Sequence, residues 1–343
     1  MVRFTLRAVP ALALCLGVAW TAAPSARAAE PVFHNPLVQQ RADPQVTLQP
    51  DGWYYFTATV PEYDRIEIRR ARSLHDLSAA PAKTVWRKHA TGAMGAHIWA
   101  PEMHRIDGKW YIYFTAGSAE HPWEIRLYAL ENASADPFTG EWVERGQVKT
   151  GWESFSLDAT TFVNRGQRYL VWTQRAPDGS PGTNIYLAKM DTPLTIKGPA
   201  VLLSKPEYAW EKVKFDVDEG PAVLVSHGRV FVTFSASATD ENYCLGMVSA
   251  PDDADLLDAK SWTKLAQPVF KSSAKNGQWG PGHNAFTTTP DGKTDVLVYH
   301  ARNYREIKGD SLHDPNRHTR AQVIHWRADG MPDFGEPVAD APR

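Results

Sequence analysis

Cysteine is nearly absent: Cys15 and Cys244 are the two in 343 residues. Cys15 falls in an N-terminal apolar stretch, so no internal disulfide can staple the fold, and Cys244 reads as a small buried hydrophobe. Charge of one sign is missing as well. With 37 basic and 39 acidic residues and a formal net charge of −2, the chain has no electrostatic footprint for nucleic acid. No apolar run reaches the ~18 residues of a spanning helix. There is no Gly-x-Ser-x-Gly elbow, His-Glu-x-x-His helix, phosphate loop or Cys-x-x-Cys pair, which removes several hydrolase, nucleotide and redox chemistries.

The apolar stretch from Ala8 to Trp20 follows Arg3 and Arg7 and precedes Ala26-Arg27-Ala28. That order reads as a secretory signal peptide over residues 1–28. Its removal takes away three arginines and moves the formal charge from −2 to −5. The expected mature chain, residues 29–343, is one exported domain, periplasmic or extracellular, monomeric and free of the membrane. Asn132-Ala133-Ser134 fits a glycosylation acceptor.

What the chain does have is aromatic residues and turn formers: 13 Trp, 12 Tyr, 13 Phe, 25 Pro and 23 Gly. Five of the glycines set a register. Asp51-Gly52, Asp107-Gly108, Arg165-Gly166, His227-Gly228 and Asp291-Gly292 recur at intervals of 56, 58, 62 and 64 residues. Each precedes an aromatic or β-branched run, such as Trp110 to Ala116 or Val230 to Ser235, and each follows a shorter run of the same kind. The pattern predicts five hairpins. Further runs such as Ile125 to Ala129 supply third strands, and outer strands follow at Pro199 to Leu202 and Pro332 to Phe334 among others.

A period of this size predicts a repeat architecture. Five sets of about four antiparallel strands make an all-β, five-bladed β-propeller around a central channel, which also removes exposed sheet edges. A two-sheet sandwich gives no reason for a fivefold period, and the repeats exceed the ~40–45 residues of a WD-type scaffold.

Asp43, Glu102, Asp158, Glu219 and His283 lead their glycines by 9, 6, 8, 9 and 9 residues. If the repeats are equivalent blades, these side chains converge at the channel mouth. Crowded carboxylates repel and raise one another's pKa values, so such a ring is costly without a function. Opposed carboxyls across a sugar pocket are what glycoside hydrolysis needs, one protonating the leaving oxygen and the other activating water.

Arg41-Ala42-Asp43-Pro44, Trp99-Ala100-Pro101-Glu102, Ser156-Leu157-Asp158-Ala159, Asp218-Glu219-Gly220-Pro221 and Gly280-Pro281-Gly282-His283-Asn284 stand in order at blade spacing. With them the chain resembles the family 43 glycoside hydrolases over essentially its whole mature length. The resemblance implies a five-bladed propeller and inversion at the anomeric centre. It makes Asp43 the general base, Glu219 the general acid, and Asp158 the third acid that raises the pKa of Glu219. Strand alternation alone leaves Asp218 as an alternative to Glu219.

The same resemblance makes Trp99 the floor of the sugar site and Arg320 a contact to sugar or third acid. Glu102 reads as a structural residue or a distal hydrogen-bonding wall of the substrate site. His283 is expected to point into the channel toward a water or metal ion. No cofactor is required, and a calcium ion in the channel near His283 is the one metal considered. Such an ion would be mostly hydrated.

The family acts mainly on α-L-arabinofuranosides and β-D-xylosides. Arg41 to Val46, Thr57-Ala58-Thr59 and Tyr63 to Ile66 look nearest to the exo-acting 1,5-α-L-arabinofuranosidases, which release terminal arabinofuranose from arabinan or arabino-oligosaccharides. A β-xylosidase, an endo-arabinanase and a non-catalytic sugar-binding propeller are the alternatives. Only 9 residues follow Phe334, so no further carbohydrate-binding module is expected there, and small soluble oligosaccharides are the expected substrates.

Overall fold

Three of the turns are two-residue hairpin loops with both residues in the left-handed region. They are Asp107-Gly108 (φ +50° and +84°), Arg165-Gly166 (+48°, +79°) and His227-Gly228 (+51°, +70°). This backbone matches the right-handed twist of the flanking strands. The computed structural model describes Met1, Val2, Thr5 and residues 31–341. The expected signal peptide thus lies almost wholly outside the described residues.

The strands follow the chain as simple meanders. The first blade holds β1 (Ala42–Leu48), β2 (Tyr54–Thr59), β3 (Arg65–Ala71) and β4 (Lys83–Arg87). The second holds β5 (Ala96–Ile106), β6 (Lys109–Gly117), β7 (Arg126–Asn132) and β8 (Val143–Gln147). The third holds β9 (Ser156–Asn164), β10 (Gln167–Gln174), β11 (Asn184–Thr192) and β12 (Thr195–Ser204). The fourth holds β13 (Asp218–Ser226), β14 (Arg229–Ala236), β15 (Cys244–Pro251) and β16 (Thr263–Lys264).

The fifth blade, β17 (Trp279–Thr288), β18 (Asp295–Arg302) and β19 (His318–Val323), takes its outer strand from the other end of the domain. Val38 bridges Thr319, and the Asn35 side chain both donates to the Ala321 carbonyl and accepts its amide, each at 2.9 Å. The Pro332 to Phe334 run, expected as that outer strand, instead pairs as β21 (Pro332–Asp333) with β20 (His325–Trp326) in a separate ribbon.

The first strands of successive blades touch around the ring, β1 with β5, then β9, β13, β17 and back to β1. The apolar residues sort accordingly. Among the described residues, each of five buried clusters lies between neighbouring blades, as where Tyr55, Ile66 and Ile68 meet Trp110, Ile112 and Phe114. This is a five-bladed propeller. No helix among the described residues is long and apolar enough to cross a membrane, and Cys244 is buried and unpaired, as expected.

Each innermost strand breaks register near the mouth. The residues at these bulges are Asp43, Ala100, Asp158, Gly220 and His283, with φ of +52°, +43°, +52°, +55° and +41°. They lead their turn glycines by 9, 8, 8, 8 and 9 residues. The equivalent of Asp43 in the second blade is therefore Ala100, and Glu102 sits two residues further along the strand. In the fourth blade the equivalent is Gly220, and Glu219 stands one residue before it.

A bulge leaves its amide outside the ladder, so the donor needs a partner. In four blades the partner comes from the second strand of the preceding blade. Thr59 Oγ1 accepts from Ala100 (2.7 Å), Thr115 Oγ1 from Asp158 (3.1 Å), Ser235 Oγ from His283 (2.7 Å) and His300 Nδ1 from Asp43 (3.1 Å). At the remaining junction the Gly220 amide goes to Asp158 Oδ2 at 3.0 Å.

Candidate active site

The bulges bring one or both of two adjacent positions of each inner strand to the mouth, where a cavity of about 760 Å³ opens. Asp43, Asp158 and His283 line it from the bulge position, Trp99, Leu157 and Glu219 from the position before. Two smaller hollows, of about 400 and 440 Å³, contain none of these residues. The three acids and the histidine expected at the mouth do meet in one place.

Asp43 is enclosed by hydrogen-bond donors and cations. Thr59 donates to its Oδ2 at 2.6 Å, and Arg317 Nη1 lies 3.3 Å from its Oδ1. His300 and His283 place their Nδ1 atoms 3.3 and 3.4 Å from the same oxygen. Burial by itself would raise this carboxyl, but the Arg317 charge, the largest opposing influence, holds Asp43 well below the ordinary carboxylate range. It stays ionised.

Glu219 has the opposite surroundings. Burial raises it, the Tyr243 hydroxyl donating to Oε1 at 2.7 Å partly offsets this, and the nearby Asp43 charge raises it again, to about 7. Asp158 is also pushed well above its usual range, by burial first and then by the charges of Glu219 and Asp43, while the Gly220 amide pulls it back. Within one dry pocket, then, one carboxyl is stabilised as an anion and two resist ionisation.

Glycine is required twice here. An added Cβ at Gly220 would lie 2.9 Å from His283 Nδ1 at a φ of +55°. At Gly282 it would overlap the Tyr243 ring, so the glycines ahead of His283 admit the group that touches Glu219.

Asp218 does not enter the cavity. It is fully buried between blades, receives Ser204 Oγ at 2.6 Å and lies 3.4 Å from Lys264 Nζ. Of the two neighbouring acids, Glu219 is the one at the mouth.

Trp99 forms part of the cavity wall, edge-on to Tyr63 at 5.7 Å and near the exposed Trp123 at 6.0 Å. Its indole nitrogen is buried without a protein partner. Glu102 lies outside the lining, where His104 Nε2 approaches it at 2.9 Å. Phe155, Leu157, Phe215 and Leu312 form an apolar part of the cavity wall.

Arg320 is likewise away from the site. It is fully buried, paired with Asp340 at 2.9 and 3.0 Å, and bonded to the carbonyls of Ala301 and His318. Arg175 and Arg317 both line the cavity, and Arg317 is the one that bridges Asp43 Oδ1 and the Tyr63 hydroxyl. Arg317 precedes the strand and carries no periodic signal, whereas Arg320 sits in a recognisable strand.

Among the described residues no group of three or more His, Cys, Asp or Glu is arranged to hold a metal ion. His283 therefore has no ligand set around it to fit the calcium considered from the sequence. Asn132, the glycosylation match, is buried and bonded to its own loop through the Thr139 carbonyl and the Ser134 amide.

Known proteins resemble this chain over most of its length. The chain is 57% identical to the "Extracellular exo-alpha-(1->5)-L-arabinofuranosidase" of Streptomyces avermitilis, over 99% of this chain and 72% of that protein. It is 54% identical to a protein of the same description from Streptomyces chartreusis, over 85% of this chain and 90% of the relative. The crystal structure of an alpha-L-arabinofuranosidase from Lactobacillus brevis superposes with a TM-score of 0.88 at 51% identity, covering 91% of this chain and 98% of the other. Residues 33–332 match the family described as Glycosyl hydrolases family 43, and the chain belongs to that family.

Proposed function

We propose that this protein is an inverting exo-α-(1→5)-L-arabinofuranosidase that removes terminal arabinofuranose from arabinan and arabino-oligosaccharides. Asp43 is the general base, Glu219 the general acid, and Asp158 the third acid. The observation that supports this division of labour is the opposed ionisation of Asp43 and Glu219 in one cavity. A general base must be ionised and a general acid protonated at the working pH.

In the proposed reaction water lies between Asp43 and the anomeric carbon. Asp43 Oδ takes its proton as the oxygen attacks, while Glu219 gives its proton to the departing glycosidic oxygen on the opposite face. The C1–O bond to the leaving group breaks as the C1–O bond to water forms, so the configuration inverts in one step. Arg317 and Thr59 hold Asp43 in its charged form. Asp158, fixed by the Gly220 amide, holds a second carboxyl near Glu219, whose charge disfavours ionisation of Asp158 itself.

The exo mode and the arabinofuranosyl substrate rest on the names of the Streptomyces relatives. Export rests on the apolar leader together with the extracellular label of those relatives. Linear arabino-oligosaccharides, aryl arabinofuranoside and aryl xyloside test the specificity. Release of arabinose one unit at a time is expected; a preference for the xyloside, or short oligomers cut from within arabinan, would refute it.

A further inference from the structure

Four of the five second strands carry a hydroxyl at the position that faces the next bulge: Thr59, Thr115, Thr173 and Ser235, each 7 residues after its turn glycine. The fifth blade carries His300 there, 8 residues after Gly292. Capping a bulge amide needs only the hydroxyl used elsewhere, so an imidazole has to be explained by something else it touches.

His300 touches the two ends of the proposed chemistry. Its Nδ1 accepts the Asp43 amide at 3.1 Å and lies 3.3 Å from Asp43 Oδ1. Its ring lies nearly parallel to that of Tyr243, at 4° and 5.6 Å between centroids. The Tyr243 hydroxyl donates to Glu219 Oε1 at 2.7 Å. Both rings are fully buried, and Gly282 is the residue whose missing side chain leaves room for Tyr243.

We infer that His300 and Tyr243 form a stacked bridge that fixes the base Asp43 and the acid Glu219 relative to one another. Both act as positioning residues for the reaction proposed above, and the inference rests on that reading. An imidazole that accepts an amide proton must be unprotonated at that nitrogen. Burial first, with the Arg317 charge contributing, lowers His300 to about 3 and keeps it neutral, although Asp43 favours its protonation. A neutral ring can stack on Tyr243 and cap Asp43 across the working pH range.

The charged and titratable groups facing this bridge are Asp43, Asp158, Glu219, His283, Arg317 and Tyr63. None of them is altered by the substitutions that read the bridge. Tyr243→Phe keeps the ring and removes one oxygen. The hydroxyl stabilises ionised Glu219, so its loss raises the acid's pKa and moves the alkaline limb of kcat/KM upward, by about one pH unit. His300→Thr restores the hydroxyl cap of the other blades and deletes the stack. It is expected to lower kcat about tenfold with KM unchanged and to shift the same limb upward, while the double variant adds little to either single one.

The experiment measures pH profiles of kcat and kcat/KM on arabinobiose, whose leaving alcohol needs the proton, for wild type, Y243F, H300T, the double variant, D43N and E219Q. Inactive D43N and E219Q with the coupled, non-additive shifts support the bridge. Inactive D43N and E219Q with unshifted profiles in Y243F and H300T, or strictly additive effects, overturn the bridge alone. Wild-type activity in D43N or E219Q overturns the functional reading beneath it. Should H300T fail to fold, Y243F still decides: an unmoved alkaline limb overturns the proposal.

Discussion

Asp158 Oδ2 accepts the amide of Gly220 at 3.0 Å, tying the carboxyl of the third inner strand to the residue that follows Glu219. Neighbouring blades use a hydroxyl or imidazole for the same amide. Here the acid itself is the cap, so two of the three carboxyls share a local backbone frame.

That frame gives a first prediction. Gly220→Ala places a methyl against His283 in a left-handed backbone, a strain of about 1–3 kcal/mol. Thermal denaturation should show the destabilisation, and kcat/KM should fall more steeply than stability because Asp158 and Glu219 are displaced together.

Arg317 sets the acidic side of the pH profile. It is the chief charge opposing the burial of Asp43, so Arg317→Met raises the Asp43 pKa. Activity requires ionised Asp43, and the acidic limb of kcat/KM should move to higher pH. The alkaline limb of the wild-type profile should lie near the value of about 7 to which Glu219 is raised.

Glu219 also carries a stability cost whose sign is fixed by linkage. Its folded pKa, about 7, exceeds the ordinary value of 4.5, so the folded state binds more protons and loses stability as pH rises between those values. Above pH ~7 the loss is on the order of 3 kcal/mol. Glu219→Gln should match wild type in Tm at pH ~4 and exceed it at pH ~8; equal Tm values at both would contradict the assigned surroundings.

Arg320→Ala separates anchoring from catalysis. Removing Arg320 takes from Asp340 its charged partner, leaving it the Gln278 amide, and removes one donor from the Ala301 and His318 carbonyls, and unfolding should be easier by about 3 kcal/mol. KM for arabino-oligosaccharides should not change. A selective rise in KM would restore the sugar contact expected from sequence.

The fold and the principal acids were legible because both depend on local chemistry. Glycines that reverse the chain and aromatic strands beside them give the blade period directly, and Asp43, Asp158 and His283 stand 8 or 9 residues ahead of those glycines. Glu102 is an acid in the matching stretch of the second repeat but does not share that register. Its lead of 6 residues against 8 or 9 elsewhere marked the mismatch, and Ala100 at 8 is the true equivalent. Arg317, Tyr243 and the Val38–Thr319 closure were not legible. Each depends on segments distant in sequence meeting in space, and a two-residue bridge or a loop arginine leaves no periodic trace.

The central claim, that Glu219 is the proton donor and Asp43 the base, is tested most directly by the leaving-group dependence of two variants. A nitrophenolate departs without protonation, whereas a sugar alcohol does not. Glu219→Gln should therefore retain substantial turnover on a dinitrophenyl arabinofuranoside while losing arabinobiose, and Asp43→Asn should lose both. Equal losses on the two substrates in Glu219→Gln, or a leaving-group rescue of Asp43→Asn, would contradict the assignment.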